Sequence, residues 1–581
     1  MRVPRAGWRP EVLASALHTL ARAVRILIFH GYLLRGTGSN VYNAELAEAL
    51  TRLGHEVHLL CQEHRPEQLG FVDSVGRWEN GKLVVDAVRR PPHSGTCTVY
   101  RPDIGGLLPV YVFDTYEGFE VRTFDRLSDS ELDRYLDSNV QAVRDVVAAV
   151  GIEAGFANHV LMGPVILARG LGDLPYAAKI HGSALEYTLK PHYGRFATYA
   201  SEGLVRARAV LVGSRHTAES LWAAMPLEDL RERTFLSPPG VDTHTFAARE
   251  PDDALAGLDA LERWLEAAQR DGFGPDAARE VDALCDPRRD PPSGDELAEV
   301  RSRYDTVGID VEAPDALATL DPLRDPVVCF VGKLIVSKGI DLLLAAWPLV
   351  LVRHPRAKLV VVGFGTYREG IEVLLRGLER ADDRLLMHVC RQGRALEGGP
   401  RDQLTYLRTF LESLRGRHER YFAAAKRMRR SVLFTGRLDH GELGHLLPCT
   451  EAVVMPSMFP EAFGMVAAEA AACGALPISA GHSGLAEVAA ILGEKLPLQV
   501  RSLLTFERGM RAVDDLAQAI LGWLELDDRM RASARTALAR TATDRFGWEA
   551  VAQSVLAASK GRTAVLEPVP GAVPFAATSE S

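Results

Sequence analysis

No apolar stretch in the 581 residues is long enough to span a bilayer, and the segment before the first strand, Glu11 to Val24, is broken by His18 and Arg22. Residues 1–22 therefore read as an N-terminal extension rather than a signal. Cysteine is sparse: seven residues, at 61, 97, 285, 329, 390, 449 and 473, scattered and odd in number. That excludes a disulfide framework or a Cys zinc site and fits a reducing cytoplasm. There is no Asp-x-Asp pair, so the sequence calls for no catalytic divalent ion, assigns no metal ligand and requires no cofactor. Basic charge is not in excess either. Lys and Arg number 67 against 76 Asp and Glu, a net −9, which argues against a broad nucleic-acid surface and requires any anion site to be built locally. Gly (50) and Pro (32) are too few for a collagenous or low-complexity chain. What is present is ordinary globular composition, 47% hydrophobic and 25% charged, in a chain long enough for several domains.

The run Val24 to Phe29 is short, apolar and followed by a glycine-rich turn, the pattern of a buried parallel strand. Tyr42, Leu46, Leu50 and Leu53 then recur at helical spacing until Gly54, before a second strand at Glu56 to Cys61. Further strands are expected at Leu83 to Val88, Tyr176 to Ile180 and Ala207 to Val212. The alternation restarts with Val327 to Val331, Leu359 to Val362, Ser431 to Phe434, Ala452 to Met455 and Leu476 to Ile478. Two α/β domains are indicated. We read 23–246 as the first, 247–321 as a charged, Pro-rich linker and insertion, and 322–545 as the second, with its own insertion at about 380–430. Residues 546–560 are expected to form a terminal helix returning to the first domain, and 561–581 an Ala, Pro, Ser and Thr-rich tail expected to be disordered.

Several short patterns carry chemistry. Gly36-Thr37-Gly38-Ser39-Asn40 lies between the first strand and its helix, where backbone N–H groups can approach an anion; a plain tight turn is the alternative. Gly332-Lys333 ends a strand, and Ser337-Lys338-Gly339 opens a helix. Two cations there can hold a diphosphate, or both can be solvated loop lysines. Pro456 to Gly464 leads from a strand into an Ala-rich helix, Met465 to Cys473, that carries Glu469. Glu461 precedes that helix and Glu469 lies about two turns inside it, so the pair can touch different parts of one long ligand. The N–H groups of Gly464 and Met465 would face a phosphate between them. Both carboxylates can equally serve the helix alone. His55-Glu56-Val57-His58 has the wrong spacing for a zinc helix and lies on a strand, where packing is the better reading. The run Arg427, Arg429, Arg430 is either a solvated helix face or a contact for an anionic membrane surface.

Together these residues resemble the retaining glycosyltransferases of family 4, the glycogen synthase-like group-1 transferases. The resemblance runs through Gly36 to Asn40, Gly54 to Val57, Lys179-Ile180-His181-Gly182, Gly213-Ser214, Pro239 to Asp242 with Phe246, and Gly332-Lys333 with Lys338-Gly339. It continues through Val362-Gly363 with Gly365, Phe434-Thr435-Gly436, Glu461 with Glu469, and Ser483-Gly484 before Glu487. Two departures stand out. Lys333 replaces the family's usual Arg, keeping a cation without the bidentate fork, and Ala462 replaces the Gly of Glu-Gly-Phe-Gly.

The resemblance implies the α/β GT-B fold, two Rossmann-like domains facing each other across a cleft, with the acceptor on the first and the nucleotide sugar on the second. It implies catalytic roles for His181, Glu461 and Lys338. It places Gly38, Gly332, Lys333, Lys338, Gly436, Phe463, Gly464, Met465 and Glu469 around the donor, with Glu469 on the ribose and the lysines on the diphosphate. The expected activity is transfer of a hexose from a nucleotide diphosphate sugar, UDP preferred, to a hydroxyl acceptor (a sugar, polyol or lipid-linked group) with retention. No nucleic-acid partner is expected, and the location is the cytoplasm or the inner membrane face. The alternatives are a nucleotide-sugar epimerase of the same architecture and a non-catalytic nucleotide-sugar-binding regulator.

Overall fold

The computed structural model describes residues 22–570 apart from 37, 113–115, 117, 270–276, 304–307 and 415–417. The N-terminal extension up to residue 21 and the tail beyond 570 lie outside the described residues. The chain divides into two compact units, one formed by residues 1–240 with 546–581, the other by 241–545.

The first unit is built on parallel strands with helices between them. In chain order these are β1 (Arg25–Phe29), α1 (Gly38–Arg52), β2 (Glu56–Leu60), β3 (Ser74–Glu79), β4 (Lys82–Ala87), β5 (Thr96–Tyr100), a separate pair β6 (Leu107–Val110) and β7 (Glu120–Thr123), and α2 (Asp129–Val150). There follow β8 (Ala154–Asn158), α3 (Gly163–Gly170), β9 (Tyr176–Ile180), α4 (Tyr193–Arg206), β10 (Ala209–Val212), α5 (Arg215–Ala224) and β11 (Thr234–Leu236). The sheet runs β11-β10-β9-β8-β1-β2-β5-β3-β4. Among these nine strands only β4 runs antiparallel, as the outer arm of a hairpin with β3. The strand expected at Leu83–Val88 is therefore an edge, with Val85 and Val88 exposed, and not a buried crossover strand. Local signals fix the helix ends. Ser128 and Glu131 form a reciprocal capping box at the start of α2, and Gly151 stops it in the left-handed region at φ 67°.

In the second unit four helices come first: α6 (Pro251–Gln269), α7 (Ala277–Asp282), α8 (Gly294–Arg301) and α9 (Ala313–Leu317). The stretch read as linker and insertion is thus largely helical. It is tied to the rest of the unit by a buried ion network: Arg368 donates to Asp310 (3.0 Å) and Glu372 (2.6 Å), and its guanidinium lies 3.7 Å over the Phe434 ring. Charge-rich sequence here becomes anchorage, because each buried charge has an opposite partner. The α/β core follows: β12 (Val327–Val331), α10 (Ile340–Arg353), β13 (Lys358–Val362), α11 (Arg368–Arg380), β14 (Val432–Gly436), α12 (His440–Leu446), β15 (Ala452–Met455), α13 (Met465–Ala472), β16 (Leu476–Ala480), α14 (Ser483–Leu492), β17 (Thr505–Phe506) and α15 (Ala512–Leu524). All six strands are parallel, in the order β14-β13-β12-β15-β16-β17. The second expected insertion holds short helices, among them Asp383–Gln392, Thr405–Ser413 and His418–Ala425.

The last described segment belongs to the first unit. Helix α16 (Trp548–Ser559) packs on α1 and on β8, β9 and β10, and the short strand β18 (Glu567–Pro568) pairs antiparallel with β11. Trp548, Val551, Ala552 and Val555 are buried in the core beneath that sheet face. Among the described residues no helix is long and apolar enough to cross a membrane.

Candidate active site

A parallel sheet sends the loops after all its strands to one edge, and ligands of such sheets bind where the strand order reverses. In the second unit the reversal falls between β12 and β15. The loop after β12 carries Gly332, Lys333 and Lys338; the loop after β15 carries Ser457 and Glu461. These two loops are joined directly. The Lys338 ammonium donates to the Glu461 carboxylate, which also accepts from the Ser457 hydroxyl at 2.7 Å. Backbone contacts hold the pair: Met458 N–H donates to the Ser337 carbonyl at 2.8 Å, and Gly339, at φ 69°, lies so close to Pro456 that a Cβ would meet its carbonyl oxygen at 2.0 Å. Only glycine fits there.

Neighbouring loops complete the frame. After β16, the Ser483 hydroxyl accepts from Glu461 N–H at 2.9 Å, and Gly484 N–H donates to the Glu461 carbonyl at 2.9 Å. His482 donates from Nε2 to the Ser457 carbonyl at 2.8 Å, leaving Nδ1 for the Ser483 hydroxyl at 3.2 Å. Gly332 N–H donates to the Val362 carbonyl, and Gly363, at φ 150°, has no room for a Cβ, which would lie 1.8 Å from the Gly332 oxygen. Gly363 N–H in turn donates to the Gly436 carbonyl at 2.9 Å. Glu461 and Lys338 keep 25% and 32% of their side chains exposed, so the pair is fixed yet reachable. Lys333 is exposed, with its ammonium 6.0 Å from the Phe364 ring centre.

Helix α13 has Gly464 as its N-cap residue, which has no side chain with which to cap the first N–H groups. Those donors and the positive helix end are available to an anion. Met465 and Phe463 are half-buried there. Glu469, one face further along, is 4% exposed and lies 3.3 Å from Nε2 of His440, whose ring meets Phe246 edge-on. Sequence reasoning quoted Ser457 and Ser483 without giving them a role and passed over His440 and His482, which could have been found from their place in the βα loops after β14 and β16.

His181 belongs to the first unit, at the end of β9. It is half-buried, with its ring 5.2 Å from Tyr42 and 4.9 Å from His159. Burial first, then the neighbouring His159, Lys179 and His30, hold its imidazole well below the ordinary value. Its Nε2 bonds the Asn158 side-chain oxygen at 2.9 Å. In the glycine loop Gly36 takes φ 97° with open space around it, and Gly38 is the exposed first residue of α1; Thr37 lies outside the described residues. His58 bonds the Tyr100 hydroxyl at 2.9 Å inside the sheet, a packing contact. Among the described residues no group of three or more His, Cys, Asp or Glu is placed to hold a metal ion.

Comparison with known proteins agrees with this architecture. Residues 37–240 match the model of the glycosyl transferase 4-like domain, and residues 417–537 match glycosyl transferases group 1. The second match begins inside the insertion, so it includes Glu461 and Glu469 and leaves out Lys338. Among curated proteins, a glycogen synthase of Mycobacterium tuberculosis is 32% identical over 238 residues, 39% of this chain and 49% of that protein. An uncharacterised glycosyltransferase of Methanocaldococcus jannaschii is 29% identical over 164 residues, 28% of this chain and 29% of its own length. The matched region thus spans about half or less of these relatives. Among solved structures, sucrose-phosphate synthase of Thermosynechococcus elongatus superposes with a TM-score of 0.52 at 16% identity, covering 93% of this chain and 99% of that one. That likeness speaks for the fold, and with the two domain matches it identifies the chain as a member of the family-4 glycosyltransferases of GT-B fold.

Proposed function

We propose that the protein transfers a hexose from a nucleotide diphosphate sugar, with UDP as the first nucleotide, to a hydroxyl acceptor with retention of configuration. The observation that carries this reading is the Lys338–Glu461–Ser457 cluster at the strand-order reversal, beside an uncapped helix start and ahead of the buried Glu469. Breaking the anomeric C–O bond leaves negative charge on the departing diphosphate and positive character on the sugar. Lys338, Lys333 and the N–H groups of Gly464 and Met465 would meet the first; the Glu461 carboxylate would meet the second. Groups placed where charge develops stabilise the transition state more than the ground state. Glu469 would accept hydrogen bonds from the ribose hydroxyls, and Gly332, Gly436 and Phe463 would shape the pocket. Gly38 would bring backbone N–H groups toward the phosphates. Among the described residues we assign no second carboxylate as a covalent nucleophile, which favours attack from the leaving-group face. No metal or other cofactor is called for in this scheme.

The test is a panel of nucleotide sugars incubated with the protein alone and read by mass spectrometry. Slow hydrolysis of one donor to free hexose and nucleoside diphosphate is the expected result. Conversion of a donor to an isomer of equal mass, followed by chromatography, would instead reveal an epimerase. Binding without any turnover would reveal a regulator.

A further inference from the structure

The end of β9 belongs to a buried chain of hydrogen bonds whose direction is fixed throughout. Asn158, the last residue of β8 and 1% exposed, donates from its amide nitrogen to the Phe29 carbonyl (3.2 Å) and to the Asn43 side-chain oxygen (2.7 Å). Asn43, fully buried on α1, donates to the Ser39 carbonyl (2.8 Å) and to Nδ1 of His30 (3.0 Å). His30 then uses Nε2 toward the Leu33 carbonyl (3.1 Å) and the Asn40 side-chain oxygen (3.0 Å), and Asn40 donates to the Arg35 carbonyl (2.8 Å). Backbone carbonyls only accept. Phe29 and Ser39 therefore orient the two amides, and Leu33 and Arg35 orient His30 and Asn40. One consequence reaches His181. The atom of Asn158 that faces it is the oxygen, so His181 must donate from Nε2, and in the neutral ring Nδ1 carries a lone pair.

We propose that Asn158 is a positioning residue that holds His181 as the neutral Nε2–H tautomer, so that Nδ1 is the atom that accepts a hydrogen bond from a hydroxyl of the sugar substrate. The assignment rests on the reading that His181 meets substrate. Among the described residues Nδ1 has no protein partner. The ring is also surrounded by groups that oppose its protonation. His159 faces it from the loop after β8, Lys179 from its own strand and His30 from the loop after β1, while the Tyr42 ring lies edge-on to it from α1; no carboxylate is among these groups. His159, 2% exposed and among the described residues without a partner for either ring nitrogen, adds a second imidazole that burial keeps neutral. The same chain ends at Asn40, so the tautomer of His181 and the placement of Ser39 and Asn40 are set by one set of bonds.

Two substitutions at Asn158, one at His181 and a histidine spectrum test this. In the ¹⁵N-histidine NMR spectrum, assigned by loss of the peak in His181→Gln, the wild type should show a protonated Nε2 and an unprotonated Nδ1, the latter shifting when the active donor is added. Asn158→Ala should lose that preference and mix the tautomers, with kcat at least tenfold lower and nucleotide Kd within twofold. Asn158→Asp keeps the size and the acceptor but adds charge. It should raise the imidazole pKa, so that kcat falls as pH drops toward 6 where the wild type stays level; the limb should vanish in the Asn158→Asp, His181→Gln double variant. A predominantly Nδ1–H wild-type ring would overturn the proposal, as would an Asn158→Asp variant with the wild-type pH profile. So would an Nδ1 resonance unmoved by a donor that is turned over. Absence of turnover on every donor would count against the transferase reading, whereas the tautomer spectrum of the free protein still decides the role of Asn158.

Discussion

Glu461 and a bound diphosphate compete for Lys338 in the proposed chemistry. In the free protein each neutralises the other, and a bound diphosphate would draw the ammonium to itself. Lys338→Ala is expected to weaken nucleotide affinity at least tenfold, since a charge-assisted bond of this kind contributes about 1.5–3 kcal/mol. Isothermal titration with the nucleoside diphosphate checks it, and affinity within twofold of the wild type would remove Lys338 from the site. Glu469 differs, because its proposed ribose contact exists before and during bond breaking. Glu469→Gln should raise the donor KM with kcat nearly unchanged; the reverse pattern in steady-state kinetics would reassign it. A third residue bears on stability instead. Lys179 is fully buried, donates to the Ser237 carbonyl and lies 5.5 Å from the Tyr42 ring centre; burial lowers its pKa from 10.5 to about 7. A base with a depressed folded-state pKa binds fewer protons folded than unfolded, so this group's contribution to stability should rise with pH between about 7 and 10.5. Thermal melts from pH 6.5 to 9.5 should show Lys179→Met gaining most over the wild type at the acid end. A constant difference across that range would show that the lysine is not desolvated as described.

At the level of elements, legibility followed side-chain chemistry. Strands β12, β13 and β15 were readable because Val, Phe and Leu mark a buried parallel strand. β8 was not: Ala154-Gly-Phe-Ala-Asn158 is wholly buried but has no β-branched residue, and Gly155 is dictated by the Leu171 side chain, which a Cβ would meet at 2.5 Å. Missing β8 meant missing Asn158, whose importance lies in three partners distant in sequence. The glycine loop, the helix after β15 and the carboxylates were legible because their chemistry is local. In 247–321 the helical spacing at Leu261, Trp264 and Leu265 was legible, whereas the anchoring of the segment through Asp310 to Arg368 of α11 was not, because that pairing joins residues distant in sequence. α16 was readable from Trp548, Val551 and Val555 at helical spacing. Trp548 lies 5.3 Å from the Tyr42 ring centre and fills the space against Gly240 that a Cβ would enter at 2.3 Å. Trp548→Ala should therefore cost about 3–5 kcal/mol, seen as a lowered melting temperature of the first unit by calorimetry. A loss under about 1 kcal/mol would show that this helix does not close the core beneath the sheet.

On the scale of the whole molecule, each unit has its own parallel sheet and its own cluster of polar groups at strand ends. The second holds the paired lysine and glutamate with an uncapped helix start; the first holds the oriented chain from Asn40 to His181. Fold and family were legible because motifs repeat the same βα grammar in both halves, while the acceptor depends on surface shape that no short motif encodes. The central claim is that this chain breaks the bond between a hexose and a nucleoside diphosphate at Glu461. Its most direct measurement is nucleoside diphosphate release from the donor that the panel selects, for the wild type and Glu461→Gln side by side, with nucleotide affinity recorded for both. The expected result is release by the wild type and a fall of at least a hundredfold in the variant, about 2.7 kcal/mol in the barrier, with affinity nearly unchanged. Equal release by the two proteins, or none from any donor by a folded wild type, would contradict it.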